Sequence, residues 1–213
     1  MLNIGILAST KGTDMQAIID AIDAKKLNAR ISVVISDKKD SYALERAKKH
    51  GIRAVFIDPK SKHILKEDDK SKRKELFDKS VAKELGKNKV ELVLLIGYMR
   101  FVSPWLVGKY RNRIMNIHPS LLPKFAGITD NKVHQAVLEA KEKETGCTLH
   151  FVDETLDGGP IIMQSKVAVS KDETPDSLKK KVQKAEQETL VKALGLYRHG
   201  KIRIRERKVM VEE

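Results

Sequence analysis

The segment Met115-Asn116-Ile117-His118-Pro119-Ser120-Leu121-Leu122-Pro123 sets an amide and an imidazole two residues apart, with prolines behind them. Alternate residues of a strand share a face, so Asn116 and His118 would reach the same side. An asparagine amide donates N–H groups, and an imidazole exchanges its proton near neutral pH. Together they could hold an oxygen that gains negative charge during acyl transfer. A lone histidine is more often a core or capping group; the amide partner and the proline frame favour chemistry here. Downstream, Asp153-Glu154-Thr155-Leu156-Asp157-Gly158-Gly159-Pro160 supplies carboxylates. One of them beside His118 would help the ring hold a proton, although Asp-Gly also suits a plain Asx-turn. The third candidate is Ala8-Ser9-Thr10-Lys11-Gly12-Thr13-Asp14, between an apolar run and a helical pattern. Free N–H groups at such a helix start suit a phosphate. The turn matches neither GxGxxG nor a P-loop, and Thr13 or Asp14 as a simple helix cap fits it as well.

Those residues need a scaffold, and the apolar pattern describes one. Residues 3–7, 31–35, 53–57 and 92–96 are strand-like, the last being the most apolar, as a central parallel strand should be. Between them, Met15 to Ile22, 42–50 and Leu76 to Leu85 keep helical spacing, the third stopped by Gly86. Strand and helix thus alternate into a fourth strand. The second half adds short strands at 114–117, 148–152 and 161–169, and a helix at 134–140. A long helix follows at 175–196, with Pro175 in its first turn, and an alternating tail at 202–211 reads as a terminal hairpin. The expected fold is α/β: a doubly wound, mostly parallel central sheet with helices on both faces, a long C-terminal helix and a hairpin. With no Ser- or Pro-rich linker or repeat, residues 1–213 read as a single domain.

Composition narrows the function classes. With 41% apolar and 33% charged residues, the 213-residue chain can bury a core and is far from the disordered regime. One cysteine, Cys147, excludes a disulfide framework and a cysteine-built zinc site. No apolar run approaches the length of a membrane span, and the N-terminus reads as a strand rather than a secretory signal, so a soluble cytoplasmic protein is expected. Forty-two Lys+Arg against 29 Asp+Glu give +13, which suits polyanions. Lysines dominate that excess and are spread along the chain, and aromatics are only 5%. Solvated lysines therefore outweigh a nucleic-acid surface.

NIHPSLLPKFAG, followed by GCTLHFVDETLDGGPIIMQ, resembles the formyltetrahydrofolate-dependent formyltransferases, and the resemblance covers nearly the whole chain. Within that family the chain is most similar to members that formylate the amine of 5′-phosphoribosylglycinamide. The resemblance implies transfer from the cosubstrate 10-formyltetrahydrofolate in purine (IMP) biosynthesis, with no metal. It makes Asn116, His118 and Asp157 the catalytic trio. Gly12, Thr13 and Asp14 would take the substrate phosphate, and Gln183, Lys184, Ala185 and Glu186 would bracket its amine. Folate would pass Lys74, Met99, Arg100, Phe101 and Val102, then Asn116 and Asp153, Glu154, Thr155, Leu156 and Asp157. Residues 1–100 become a nucleotide/phosphate-binding half and 101–213 a catalytic and folate-binding half. Small molecules are the expected partners, nucleic acid and membrane are not, and a monomer or homodimer fits equally.

The chain departs from the family at three places. Ser9-Thr10-Lys11-Gly12-Thr13-Asp14 stands where Ser-Gly-x-Gly-Ser/Thr-Asn is usual, so Asp14 puts a carboxylate near a dianion. Lys74, with Arg73 adjacent, falls where the family has a folate-contacting Arg. The 125–132 segment is longer than the usual pattern. Two further readings stay open: a methionyl-tRNA formyltransferase-like enzyme, and a catalytically silent basic RNA-binding protein on the same fold. Against the first, Lys124-Phe125-Ala126-Gly127-Ile128 stands where the tRNA enzyme has an Arg-Gly-Ala-Ala-Pro-type loop, and that enzyme would be expected to carry an additional C-terminal domain. A formyltetrahydrofolate hydrolase would add an N-terminal module. Among the remaining groups, His150 reads as a satisfied buried imidazole and Cys147 as an inert small hydrophobe.

Overall fold

Near-continuous apolar runs, as in LNIGIL and LVLL, can only be satisfied by burial on both faces, and a sheet covered by helices on both sides provides it. The computed structural model describes residues 1–212. In chain order the elements are β1 (Leu2–Leu7), α1 (Thr13–Asp23), β2 (Ala29–Ser36), α2 (Tyr42–Lys49), β3 (Ala54–Phe56), α3 (Lys62–Leu65), α4 (Lys70–Lys87) and β4 (Leu92–Leu95). The second half continues with α5 (Pro104–Lys109), β5 (Ile114–His118), α6 (Asp130–Glu139), β6 (Glu144–Phe151), β7 (Ile161–Ala168), α7 (Pro175–Arg198), β8 (Ile202–Arg205) and β9 (Lys208–Val211). Seven strands form one sheet in the order β3-β2-β1-β4-β5-β6-β7. The first five run parallel; β6 and β7 are antiparallel additions at one edge. β8 and β9 form the separate hairpin. The expected fold holds.

One buried cluster joins Ile4, Ile6, Leu92 and Leu94 to Met15, Ile18 and the Leu178–Leu194 face of α7. The opposite cluster joins Leu7, Val93 and Leu95 to Phe77, Val81 and Leu85 of α4. Alternate residues of the same strands thus serve both layers. α7 begins on a capping box: Thr174 Oγ1 accepts the Ser177 N–H at 3.2 Å, with Pro175 in the first turn.

Gly86 does not stop its helix. α4 continues to Lys87 and ends at Asn88, whose side-chain amide donates to the Glu84 carbonyl at 2.7 Å. Gly86 has open space where a Cβ would be, so nothing there forces the chain to turn, and a mid-helix glycine costs only ~1 kcal/mol against alanine. The short helices α3 and α5 escape the periodicity because each is less than two turns long.

At the carboxyl ends of β1 and β4 the chain is stitched together. Ser9 N–H donates to the Gly97 carbonyl at 3.1 Å. Its hydroxyl donates to Asp37 Oδ1 at 2.6 Å and accepts the Met99 N–H at 2.9 Å. Gly97 has φ +57°, and a Cβ there would lie 2.2 Å from Thr10 Oγ1. Gly97→Ala is therefore expected to cost roughly 2–4 kcal/mol, combining the left-handed penalty with overpacking, read as a lower midpoint in thermal unfolding.

Candidate active site

A cavity of about 470 Å³ opens beyond the carboxyl ends of β1, β4 and β5. This is where the strand order reverses, because β1 is flanked by β2 on one side and by β4 on the other. The β1–α1 turn contributes Gly12, Thr13 and Asp14 to its wall. Gly12 caps α1 in the left-handed region (φ 60°), and a Cβ there would lie 2.9 Å from that of Ala43, so the turn is held close to α2. α7, which packs against α1, contributes Gln183 and the buried Glu186. Lys184 and Ala185, expected beside them, do not line the cavity. Lys184 is exposed and Ala185 packs on the core, because the helical turn carries them off that face.

β5 ends at His118, and its alternation brings Asn116 and His118 to the cavity as expected. The His118 ring is 6% exposed and sits between two acceptors. Its Nε2 lies 3.1 Å from the Phe125 carbonyl and its Nδ1 3.4 Å from Asp157 Oδ2. A carbonyl and an ionised carboxylate can only accept, so this pair of neighbours suits a ring carrying both protons. Asp157 is itself held in the left-handed region (φ 50°), and its Oδ2 accepts the Gly127 N–H at 2.9 Å. Gly158-Gly159-Pro160 closes the loop behind it. Pro160 O accepts the Phe151 N–H at 2.9 Å, and a Cβ on Gly159 would fall 1.8 Å from the Phe151 carbonyl.

His150 belongs to the same cluster, which its buried position on β6 concealed in the sequence. β6 pairs antiparallel to β5 and sets His150 opposite Asn116. Its Nδ1 lies 2.9 Å from the Phe151 carbonyl, so that nitrogen carries the proton. The bare Nε2 then accepts from Asn116 Nδ2 at 3.1 Å, which fixes the amide's orientation and leaves its second N–H for the cavity. Burial lowers the His150 pKa, in keeping with a neutral ring. The 3.8 Å approach of His150 Nε2 to Asp157 Oδ1 is accordingly a contact of two acceptors rather than an ion pair.

The folate-assigned residues form the outer wall. Met99 and Phe101 are exposed apolar groups on the β4–α5 segment, and Lys74 Nζ lies 5.9 Å over the Phe101 ring. Arg100 stacks at 4.4 Å over Phe77 instead of reaching freely into solvent. This segment is anchored by buried Asp78, whose Oδ2 accepts the Ser103 N–H at 2.5 Å and whose carboxyl is pushed up by burial. On the far side, Asp153 accepts the Thr155 N–H at 2.8 Å, while Leu156 stands 52% exposed at the rim. Partial burial raises the Asp153 pKa, but the Thr155 hydrogen bonds and the nearby Arg207 charge outweigh it and hold the carboxyl below its ordinary value. Among the described residues no cluster of His, Cys, Asp or Glu could hold a metal ion, and no helix is long and apolar enough to cross a membrane. Burial pushes the Cys147 thiol up to about 12, far from a reactive thiolate.

Residues 2–194 match the family described as formyl transferase. The chain is 35% identical over 205 residues to the phosphoribosylglycinamide formyltransferase of Escherichia coli, covering 96% of this chain and 91% of that one. It is 38% identical over 206 residues to the trifunctional purine biosynthetic protein adenosine-3 of Chironomus tentans, covering 96% of this chain. The chain spans only 14% of that insect protein's length. The crystal structure of glycinamide ribonucleotide transformylase 1 from Symbiobacterium toebii superposes with a TM-score of 0.90 at 37% identity, covering 100% of this chain and 95% of that one.

Because burial depresses the His150 pKa, the unfolded chain binds a proton there that the native state refuses. Stability should fall as pH drops through about 6.5, the ordinary histidine value. The replacement His150→Gln, which can still accept from Asn116, should flatten that slope in thermal melts between about pH 7 and 5.

Proposed function

The chain belongs to the formyl transferase family, and on that premise we propose that it transfers the formyl group of 10-formyltetrahydrofolate to the amine of 5′-phosphoribosylglycinamide, a step of purine (IMP) biosynthesis. The observation that carries this reading is the convergence of Asn116, His118 and Asp157 on one cavity that a helix N-terminus also lines. The amine attacks the formyl carbon, a C–N bond forms, and the carbonyl electron pair moves to oxygen. That oxyanion accepts the second Asn116 N–H and a proton-bearing nitrogen of His118. A charged oxyanion is a stronger acceptor than the neutral Phe125 carbonyl that now faces Nε2, so it can displace or share that contact. Asp157 keeps the ring charged and, through water, helps a proton pass from the attacking nitrogen to N10 as the C–N10 bond breaks. Asn116 is available for this role because His150 already orients it.

The phosphate would lie against the first turn of α1, where Thr13 supplies N–H and hydroxyl donors, and Glu186 would face the amine end. Folate would enter past Met99 and Phe101 and along residues 153–157. A cytoplasmic location fits these small, soluble substrates. The RNA-binding alternative has less support, since a buried acyl-transfer cluster serves no purpose in it.

Release of tetrahydrofolate, measured with the ribonucleotide and with initiator methionyl-tRNA as rival acceptors, tests the reading; turnover with the tRNA alone would overturn it. His118→Ala should lower kcat by about 10²–10³ while thermal unfolding shows an intact fold. Removing the Asp14 charge with Asp14→Asn should lower KM for the ribonucleotide by about threefold to tenfold, since a like charge beside a partly desolvated dianion is unfavourable.

A further inference from the structure

We propose that Arg207, in the turn of the terminal hairpin, is a positioning residue that holds the Asp157 loop in its working shape. The hairpin lies beyond residues 2–194, the part of the chain that matches the family. Its two turn residues, Glu206 and Arg207, both take positive φ (47° and 65°), a conformation that glycine and asparagine adopt more cheaply. The turn therefore accepts a backbone cost while presenting an arginine at a defined place.

That arginine grips the loop at both ends. Its Nη2 lies 2.8 Å from Asp153 Oδ2, at the start of the loop, and donates to the Gly158 carbonyl at 3.1 Å, immediately after Asp157. Asp153 passes the constraint inward, because its other oxygen, Oδ1, accepts the Thr155 N–H at 2.8 Å and the Thr155 hydroxyl. The outer face of the loop does not pack directly against the hairpin. Between it and the hairpin lies a second cavity of about 480 Å³, lined by Ile204, Glu206 and Arg207 on one side and by Asp153, Glu154 and Thr155 on the other. Arg207 is the bridge across that space. The hairpin in turn rests on the fold's edge strand, since β9 packs against β7. A chain of contacts thus runs from the sheet edge through Arg207 to the carboxylate facing His118.

An exposed ion pair is ordinarily worth little, and the Arg207 side chain is 66% exposed. Here one guanidinium closes two contacts on a loop whose tip must meet His118 within hydrogen-bond reach, so the effect should appear in geometry and rate more than in global stability.

The kinetic part of the proposal rests on the formyl-transfer reading above; the structural part does not. Arg207→Ala should lower kcat by about threefold to tenfold and raise KM for the folate, whose wall includes residues 153–157. KM for the ribonucleotide should stay within about twofold, because its phosphate is assigned to the first turn of α1, which Arg207 does not touch. Arg207→Lys, which can keep one of the two contacts, should recover part of the loss, and Arg205→Ala, an exposed arginine on β8, should leave turnover unchanged. Amide hydrogen exchange across residues 153–159 should quicken in Arg207→Ala while the exchange of β4 and β5 stays as in the parent. An Arg207→Ala protein with parental kcat, or with unaltered loop exchange, would overturn the proposal. A parent chain that transfers no formyl group would instead refute the functional reading, and loop exchange would still decide the role of Arg207.

Discussion

The parallel pairing of β1 with β4 and of β4 with β5 is the constraint on which the rest of this molecule depends. Three strands pointing the same way deliver three loops to one end of the sheet, and the reversal of strand order beside β1 leaves a crevice between them. Asn116 and His118 are then placed at the end of a strand, and Gly12, Thr13 and Asp14 at the start of a helix. The Ser9 hydroxyl, bonded to Asp37 and to the Met99 N–H, shows how closely the phosphate-side turn and the outer wall are tied. Neither loop can shift alone.

Within that crevice the polar groups divide into a charged pair and a neutral support. His118 is flanked by acceptors on both ring nitrogens, which favours the imidazolium, whereas His150 is buried, faces the Phe151 carbonyl and stays neutral. Two histidines about one carboxylate would repel if both were charged. Their different hydrogen-bond partners separate the roles, one ring able to donate to a developing oxyanion and the other accepting from Asn116 to aim it.

The excess positive charge has a modest place in this picture. Many of the lysines lie on exposed helix surfaces, where pairs such as Lys79–Glu75 contribute only a few tenths of a kcal/mol each. Around the cavity, Lys74 and Arg100 lean on aromatic rings at the folate-assigned wall, which suits a carboxylated ligand entering there. The acids Asp14 and Glu186 occupy the inner wall.

The sequence by itself determined the alternation of strands and helices, because buried parallel strands require unbroken apolar runs and surface helices require a 3.6-residue stripe. It also determined that Asn116 and His118 share a face, since strand periodicity is local. The Asp157 segment was legible as an acidic, glycine-rich turn, but its meeting with His118 was decided by tertiary structure, through a left-handed backbone at Asp157 and the close approach of Gly159 to Phe151. The role of His150 was hidden for a different reason: its partner is set by the antiparallel register of β6 on β5, and register is a long-range property. Lys184 and Ala185 fell outside the site because helical rotation gives the cavity only one edge of α7. The contact between Arg207 and Asp153 joins residues 54 positions apart through two separate sheets, and no periodicity in the chain can encode such a meeting.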